Sequence, residues 1–238
     1  MVVEFKVFRY DPDAKKEPYF DYFQVPVVKS MTVLQGLIYI SENLDSTVAF
    51  RAACRAAVCG SCAMHINGEY RLACRTQIEA LRSSRVTVRP LSHLPILKDL
   101  VVDMKPYFEN YERIKPYLIP SEPLPEKEIL QTPSQRKKID DVVDCTLCGA
   151  CYGSCPFSAT NPEYLGPHAF MKTLRFVEDS RDIATKERLA IISQANGVFR
   201  CHTVFNCQNV CPKELDPSHA IARLKMKSVL SRIKGLFT

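Results

Sequence analysis

The chain has 238 residues, of which 46% are hydrophobic and 24% are charged, which excludes a disordered or collagen-like protein and suits one or two globular domains. Lys and Arg number 32 against 26 Asp and Glu, and the formal charge of +6 leaves nucleic-acid binding open until motifs are considered. The 11 cysteines need a chemical explanation, because a chain of this length folds without disulfides.

The start of the chain predicts no secretory signal, because no basic segment is followed by an apolar one. No stretch approaches the roughly 18 apolar residues of a membrane span. We therefore expect a cytosolic chain, in which thiols stay reduced. Dense cysteine spacing there favours metal or cluster ligation over disulfides.

The N-terminal part is predicted to contain strands around a single helix. Val3, Phe5 and Val7 alternate with charged residues, as in a half-buried strand. The dipeptide Asn67-Gly68 is typical of a tight hairpin turn. The predicted elements are strands at 3–7 and 19–28, a helix at 34–44, a hairpin at 63–74 and a strand at 85–89.

Six prolines between residues 106 and 133 predict an extended, proline-rich connector over 104–135. The connector divides the chain into domains at 1–103 and 136–238. Helical spacing of apolar residues, as in 170–177 and 226–233, predicts a mostly α C-terminal domain. Asp216-Pro217 resembles a helix N-cap followed by proline in the first turn.

The first four cysteines have the spacing of a plant-type [2Fe-2S] site. Cys54-x4-Cys59-x2-Cys62 is followed at a distance by Cys74. Small residues between Cys59 and Cys62 allow backbone N–H groups to approach cluster sulfurs. A structural zinc site is the alternative, although such sites usually contain pairs of C-x2-C.

The remaining seven cysteines form two runs of the bacterial C-x2-C-x2-C-x3-C-P type, in which each fourth cysteine serves the other cluster. Crossing the fourth cysteines gives one complete [4Fe-4S] set, namely Cys145, Cys148, Cys151 and Cys211. The other set has only Cys155, Cys201 and Cys207, with Val204 where a fourth ligand would stand. Three thiolates beside an apolar corner favour a [3Fe-4S] cluster. A [4Fe-4S] cluster with a solvent or substrate ligand is the alternative.

These residues resemble the iron–sulfur subunit of the succinate dehydrogenase and fumarate reductase family over nearly the whole length. The similarity lies in Arg51-Ala52-Ala53-Cys54-Arg55, Cys59-Gly60-Ser61-Cys62, Asp99-Leu100-Val101-Val102-Asp103-Met104, Cys145-Thr146-Leu147-Cys148-Gly149-Ala150-Cys151, Asp179-Ser180-Arg181-Asp182 and Cys211-Pro212-Lys213. It implies an α+β protein in which an N-terminal β-grasp plant-type [2Fe-2S] ferredoxin domain precedes a C-terminal all-α bacterial-type two-cluster ferredoxin domain.

The same resemblance implies a place in a larger complex. Expected partners are a FAD-containing flavoprotein subunit and membrane anchor subunits, at the cytoplasmic face of the bacterial inner membrane. Electrons from succinate oxidation would pass through the [2Fe-2S], [4Fe-4S] and [3Fe-4S] clusters to a quinone, or in reverse for fumarate reduction. The dicarboxylate site would lie on the flavoprotein, so no catalytic residue is predicted on this chain.

By the same resemblance, the quinone vicinity includes Pro156, Phe157, Thr160 and His202. His202 could donate a hydrogen bond or a proton to a quinone, or only pack near the cluster. Ubiquinone-type members carry a tryptophan pair before the position of Asn161, whereas this chain has Ala159-Thr160. That departure favours a menaquinone-using or fumarate-reductase-like relative.

The charge excess is local. Between Arg51 and Lys98 there are eight basic residues and only Glu69 and Glu79, so positive charge surrounds the first cysteine group. No nucleic-acid motif accompanies it, and no nucleic-acid partner is predicted. The alternatives to a quinone-linked subunit are a soluble ferredoxin-like carrier and an iron–sulfur subunit of another flavoprotein reductase.

Overall fold

A computed structural model describes residues 1–14 and 17–236, and of 234–236 the backbone alone. The chain forms two compact units. Met1–Met104 and Thr146–Ser154 make up the first, whereas Lys105–Cys145 and the described residues from Cys155 onward make up the second.

The first unit contains a mixed five-stranded sheet in the order β2-β1-β5-β3-β4. Strand β1 pairs antiparallel with β2 and parallel with β5, and β3 pairs antiparallel with both β4 and β5. The strands are β1 (Val2–Arg9), β2 (Tyr19–Pro26), β3 (Ala63–Ile66), β4 (Glu69–Leu72) and β5 (Arg85–Arg89), with a separate pair β6 (Ile96–Lys98) and β7 (Val101–Val102).

The helices are distributed over both units, with α1 and α5 in the first and the others in the second. Their bounds are α1 (Val33–Asn43), α2 (Lys105–Glu112), α3 (Pro133–Lys137), α4 (Asp140–Val143), α5 (Ala150–Gly153), α6 (Pro156–Thr160), α7 (Gly166–Val177), α8 (Thr185–Ile192), α9 (Asn206–Asn209) and α10 (Pro217–Leu236). In the described residues, no helix combines the length and the hydropathy that a bilayer crossing requires.

The predicted elements of the first unit are confirmed. Val3, Phe5 and Val7 are buried, as the alternating pattern required. Asn67 and Gly68 both have positive φ, which gives the hairpin turn between β3 and β4 its right-handed twist. Helix α1 begins at a capping box, in which the Thr32 hydroxyl accepts a hydrogen bond from the Gln35 amide.

A buried ion cluster stabilises the first unit. The Arg9 guanidinium donates to Asp99 at 3.1 Å, to Asp21 at 2.8 Å and to Asp45 at 2.6 Å. The other Asp99 oxygen accepts the Ala49 amide at 2.8 Å. Asp99 thereby joins the end of β1 to the segment that leads into the first cysteine loop.

The second unit is helical, as predicted, and α7 forms its centre. Helix α7 packs against α2, α4, α8 and α10, and most of its side chains are buried. Helix α10 begins as expected from Asp216-Pro217, because the Asp216 carboxylate accepts the His219 amide at 2.8 Å. Mostly helical structure therefore surrounds the cysteines of this unit.

The predicted connector over 104–135 is not extended throughout. Helix α2 lies within it, and the side chains of Tyr107 and Ile114 belong to the buried core. Proline at position 106 lies in the first turn of α2, where a missing N–H costs no helical hydrogen bond. The division at 103/104 also differs from the compact units, because Thr146–Ser154 lies in the first.

A second buried ion pair holds the part of that stretch that directly follows α2. Arg188 is fully buried and donates to Asp182 at 2.5 Å. Its guanidinium also donates to the carbonyls of Lys115 and Tyr117, at 3.0 and 2.6 Å. The Ile119 amide donates to Asp182 at 3.0 Å, so the proline-rich chain over 115–119 is anchored to α8.

We predict that Asp99→Ala destabilises the first unit by at least about 3 kcal/mol, because Arg9 and the Ala49 amide lose a buried acceptor together. Urea unfolding followed by circular dichroism measures this change. Glu69→Ala is the matched control, because it removes an exposed partner of Arg71, and we expect a loss below about 1 kcal/mol. Equal midpoints for the two variants would contradict the role of the buried cluster.

Candidate iron–sulfur centres

The first cysteine loop follows α1 and leads into β3. Arg55, Ala57 and Gly60 have φ of 56, 57 and 73°, in the left-handed region. Such residues turn successive N–H groups toward one side of the chain and form an anion-binding concavity. In this loop the concave side faces cysteine sulfur.

Four backbone amides donate hydrogen bonds to two predicted ligands of this loop. The amides of Ala56, Val58 and Cys59 lie 3.4, 3.3 and 3.3 Å from Cys54 Sγ. The Ala57 amide lies 3.3 Å from Cys74 Sγ, so Cys74 meets the same loop although it follows β4. Donors aimed at sulfur are the environment that a thiolate-bound [2Fe-2S] cluster requires, and the residues therefore fit that group.

The other two cysteines of this group differ in burial. Cys59 is exposed, and the hydroxyl of Ser61 together with backbone amides lowers the pKa of its thiol to about 6. Cys62 is buried, and burial raises its thiol pKa to about 12, with Cys74 and Cys59 close enough to contribute. The structure thus brings Cys59, Cys62 and Cys74 together, and Cys54 joins them through the Cys59 amide.

Gly60 is required by a close approach within the first unit. A Cβ at this position would lie 2.8 Å from Cys148 Cβ and 3.0 Å from the Thr146 carbonyl oxygen. Its φ of +73° is also one that side chains rarely adopt. Only glycine therefore meets both conditions.

The members of the predicted [4Fe-4S] set occur in both units. Cys148 and Cys151 lie in the first unit, beside and within α5, whereas Cys145 and Cys211 lie in the second. Leu147 and Gly149 have positive φ, as in the first loop. The ligand assignment Cys145, Cys148, Cys151 and Cys211 stays a prediction from spacing.

The second unit contains a pocket that brings together the three cysteines of the predicted [3Fe-4S] set. Cys155, Cys201 and Cys207 line it, with Val204 at its rim, and it encloses about 310 Å³ including the part open to solvent. Thr203 and Phe205 have positive φ, and the Thr203 amide donates to Cys201 Sγ at 3.4 Å. Burial raises the pKa of Cys207 to about 12, and the neighbouring Cys155 and Cys201 add to the shift.

A buried tyrosine that the sequence reading missed also lines this pocket. Tyr164 is fully buried, and its hydroxyl makes no hydrogen bond of good geometry within the described residues. Burial and the negative charge of Cys155, Cys201 and Cys207 raise the pKa of Tyr164. A buried hydroxyl without a hydrogen bond of good geometry, placed beside the sulfurs of three cysteines, fits a sulfur-rich group in the pocket.

Two family models match the chain. A 2Fe-2S iron-sulfur cluster binding domain matches residues 4–109, and a 4Fe-4S dicluster domain matches residues 141–215. The succinate dehydrogenase iron-sulfur subunit of Paracoccus denitrificans is 41% identical over 94% of this chain and 87% of its own length. The corresponding subunit of Coxiella burnetii is 40% identical over 97% of this chain and 99% of its own length. The chain belongs to the family of succinate dehydrogenase iron–sulfur subunits.

A solved structure supports the fold of this family member independently. A chain of the Mycobacterium smegmatis Sdh1 complex, in its apo form, superposes with a TM-score of 0.87 over 95% of both chains. The sequence identity is 24%, so this match shows the shared fold. Together the comparisons confirm the predicted fold class and the expectation of iron–sulfur clusters.

In this iron–sulfur subunit, the residues predicted near the quinone only partly come together. Pro156 and Phe157 begin α6, directly after Cys155, and Phe157 lines the cysteine pocket. The exposed ring of His202 stacks on Phe157, with centroids 5.0 Å apart and planes inclined by 20°. Thr160 lies at the exposed end of α6, where its hydroxyl donates to the Phe157 carbonyl. The stack of His202 on Phe157 and the bond from Thr160 to Phe157 therefore join three of the four positions through Phe157.

Among the described residues, no three His, Cys, Asp or Glu side chains are grouped closely enough to hold a single metal ion. The sulfurs that hold a multi-iron cluster surround several atoms, and they are therefore spaced more widely than the ligands of one ion.

We predict that Gly60→Ala sharply reduces [2Fe-2S] content. The added methyl group would clash with Cys148, and the positive φ of this position would strain the backbone of an alanine. Electron paramagnetic resonance of the reduced protein, with iron and sulfide analysis, measures the loss. Gly68→Ala is the matched control, because Gly68 also has positive φ but has open space around it. A normal [2Fe-2S] signal in Gly60→Ala would contradict the requirement for glycine.

Proposed function

We propose that this chain relays electrons between FAD on a flavoprotein subunit and a membrane quinone, as the iron–sulfur subunit of a succinate:quinone oxidoreductase. Bound iron–sulfur clusters supply one-electron transfer. The protein residues hold each cluster by thiolates, donate N–H hydrogen bonds to sulfur and exclude water. The two cluster-binding domains in one chain and the family membership support this function.

The pocket in the second unit carries the proposal. Its three cysteines and Val204 leave one corner of a cubane without a thiolate, which favours a [3Fe-4S] cluster held by Cys155, Cys201 and Cys207. A carrier of the bacterial type with two [4Fe-4S] clusters would have a cysteine at position 204. The valine argues against a carrier of that kind, and the family membership favours the relay.

The remaining ligand sets complete the proposed path. Cys54, Cys59, Cys62 and Cys74 hold the [2Fe-2S] cluster, and the amides around Cys54 support that assignment. Cys145, Cys148, Cys151 and Cys211 hold the [4Fe-4S] cluster, a set supported by the spacing of the bacterial run. Electrons from succinate would follow the order [2Fe-2S], [4Fe-4S], [3Fe-4S].

Exposed features of each unit suit the proposed partners. Arg51 and Arg55 are exposed on either side of the predicted ligand Cys54, Val58 of the same loop is exposed as well, and the two arginines offer a cationic face to the flavoprotein. The second unit exposes an apolar stripe on α10, which suits the anchor subunits and comprises Met226, Val229, Leu230 and Ile233. We place the complex at the cytoplasmic face of the bacterial inner membrane.

For the quinone, we propose that the stacked pair Phe157 and His202 borders its site, together with Pro156 and Thr160. His202 is exposed and follows the ligand Cys201, so its ring could donate a hydrogen bond to a quinone carbonyl. The absence of tryptophan from the sequence favours menaquinone.

We predict that the native protein co-purifies from detergent-solubilised membranes with a flavin-containing subunit. The complex should catalyse succinate–quinone or quinol–fumarate electron transfer, faster with a menaquinone analogue than with a ubiquinone analogue. Flavin analysis and both rates test this expectation. Purification from membranes without a flavoprotein would contradict the proposed function, whereas a preference for ubiquinone would contradict only the quinone assignment.

We predict that Val204→Cys supplies a fourth thiolate and converts the [3Fe-4S] site toward [4Fe-4S]. The oxidised [3Fe-4S] resonance should fall, and quinone reduction should slow because the potential of that site changes. Val204→Ala is the control, since it changes the side-chain volume without adding a ligand, and it should keep the resonance. An unchanged oxidised spectrum in fully loaded Val204→Cys would contradict the crossed assignment of ligands.

A further inference from the structure

The ring of Tyr164 is held in one position. It packs edge-on against Phe157 and Phe170, with centroid distances of 6.3 and 5.6 Å. Its backbone is fixed as well, because the Asn110 side-chain amide donates to the Tyr164 carbonyl at 3.2 Å and the Tyr164 amide donates to the Asn161 carbonyl at 3.1 Å. The direction of the hydroxyl is therefore set by the fold.

That hydroxyl is a buried donor without a good protein acceptor. Tyr164 has 0% exposure, its hydroxyl has no hydrogen-bond partner of good geometry within the described chain, and it lines the same pocket as Cys155, Cys201 and Cys207. A buried hydroxyl with no partner costs about 1–3 kcal/mol. Its position at the lining of the cysteine pocket indicates that the missing acceptor is the group held there.

Tyrosine has an ordinary pKa of about 10, so the phenol is protonated at neutral pH and acts as a donor toward negatively charged sulfur. Water does not compete for it, because the ring and hydroxyl are buried.

We propose that Tyr164 donates a hydrogen bond to a sulfur of the cluster held by Cys155, Cys201 and Cys207, and that this bond raises the reduction potential of that cluster. The inference rests on the proposed function, because it requires a cluster in the pocket. One-electron reduction adds negative charge to the cluster and forms no new covalent bond. A hydrogen-bond donor stabilises the more negative, reduced state more strongly, which raises the potential.

The test is a redox titration of the purified complex, followed by electron paramagnetic resonance, for wild type and Tyr164→Phe. The variant keeps the ring between Phe157 and Phe170 and removes only the donor. We expect the [3Fe-4S] midpoint to move to lower potential while the [2Fe-2S] and [4Fe-4S] midpoints stay unchanged. An unshifted [3Fe-4S] midpoint in a fully loaded variant would overturn the inference.

Tyr107→Phe is the matched control, because Tyr107 is another fully buried tyrosine of the second unit, stacked on His168 and outside the cysteine pocket. Its [3Fe-4S] midpoint should equal that of wild type, and an equal shift in both variants would refute a specific bond from Tyr164.

Replacement of Tyr164 by 3-fluorotyrosine supplies a second variant that retains the hydroxyl. The fluorine makes the phenol a stronger donor, so the midpoint should move to higher potential, opposite to Tyr164→Phe. A shift to lower potential would overturn the inference, because it would indicate packing rather than hydrogen bonding. A wild-type complex without any [3Fe-4S] resonance would instead refute the ligand assignment in the proposed function.

Discussion

Negatively charged sulfur needs hydrogen-bond donors once water is excluded, and in this protein peptide N–H groups provide them. Three amides converge on Cys54, and one donates to Cys201. Left-handed residues such as Arg55, Ala57 and Thr203 turn the chain in these loops, and each costs roughly 1–2 kcal/mol for a side chain with a Cβ. The packing of each unit must offset that cost.

The two units meet this requirement with different supports. In the first, Asp99 fixes both Arg9 and the Ala49 amide, just before the cysteine loop begins. In the second, helical packing around α7 holds Tyr164 at the lining of the pocket. A sheet with a buried ion cluster and a helical core thus serve the same purpose, which is to hold hydrogen-bond donors beside cysteine sulfur.

Local and periodic features were predictable from the sequence. The alternation at Val3, Phe5 and Val7 predicted β1, and Asn67-Gly68 predicted the hairpin. Helix α2 is not predicted, because Pro106 counts among the prolines that indicate an extended connector, although proline is tolerated in a first helical turn. Tyr164 was also missed, since a single tyrosine outside a cysteine run carries no spacing signal. Its importance depends on burial, which only the folded chain shows.

The discontinuity of the first unit has a consequence for synthesis. Strand β1 pairs in parallel with β5, so the pairing of Phe5 with Val86 can form only after residue 86 has been synthesised. Even then the unit lacks Thr146–Ser154, which follows the whole of Lys105–Cys145 in the chain. A nascent chain released at residue 104 would therefore leave Gly60 without the Cys148 backbone against which it packs. The first unit is therefore complete only after Ser154 has been synthesised, when Lys105–Cys145 of the second unit has already been translated.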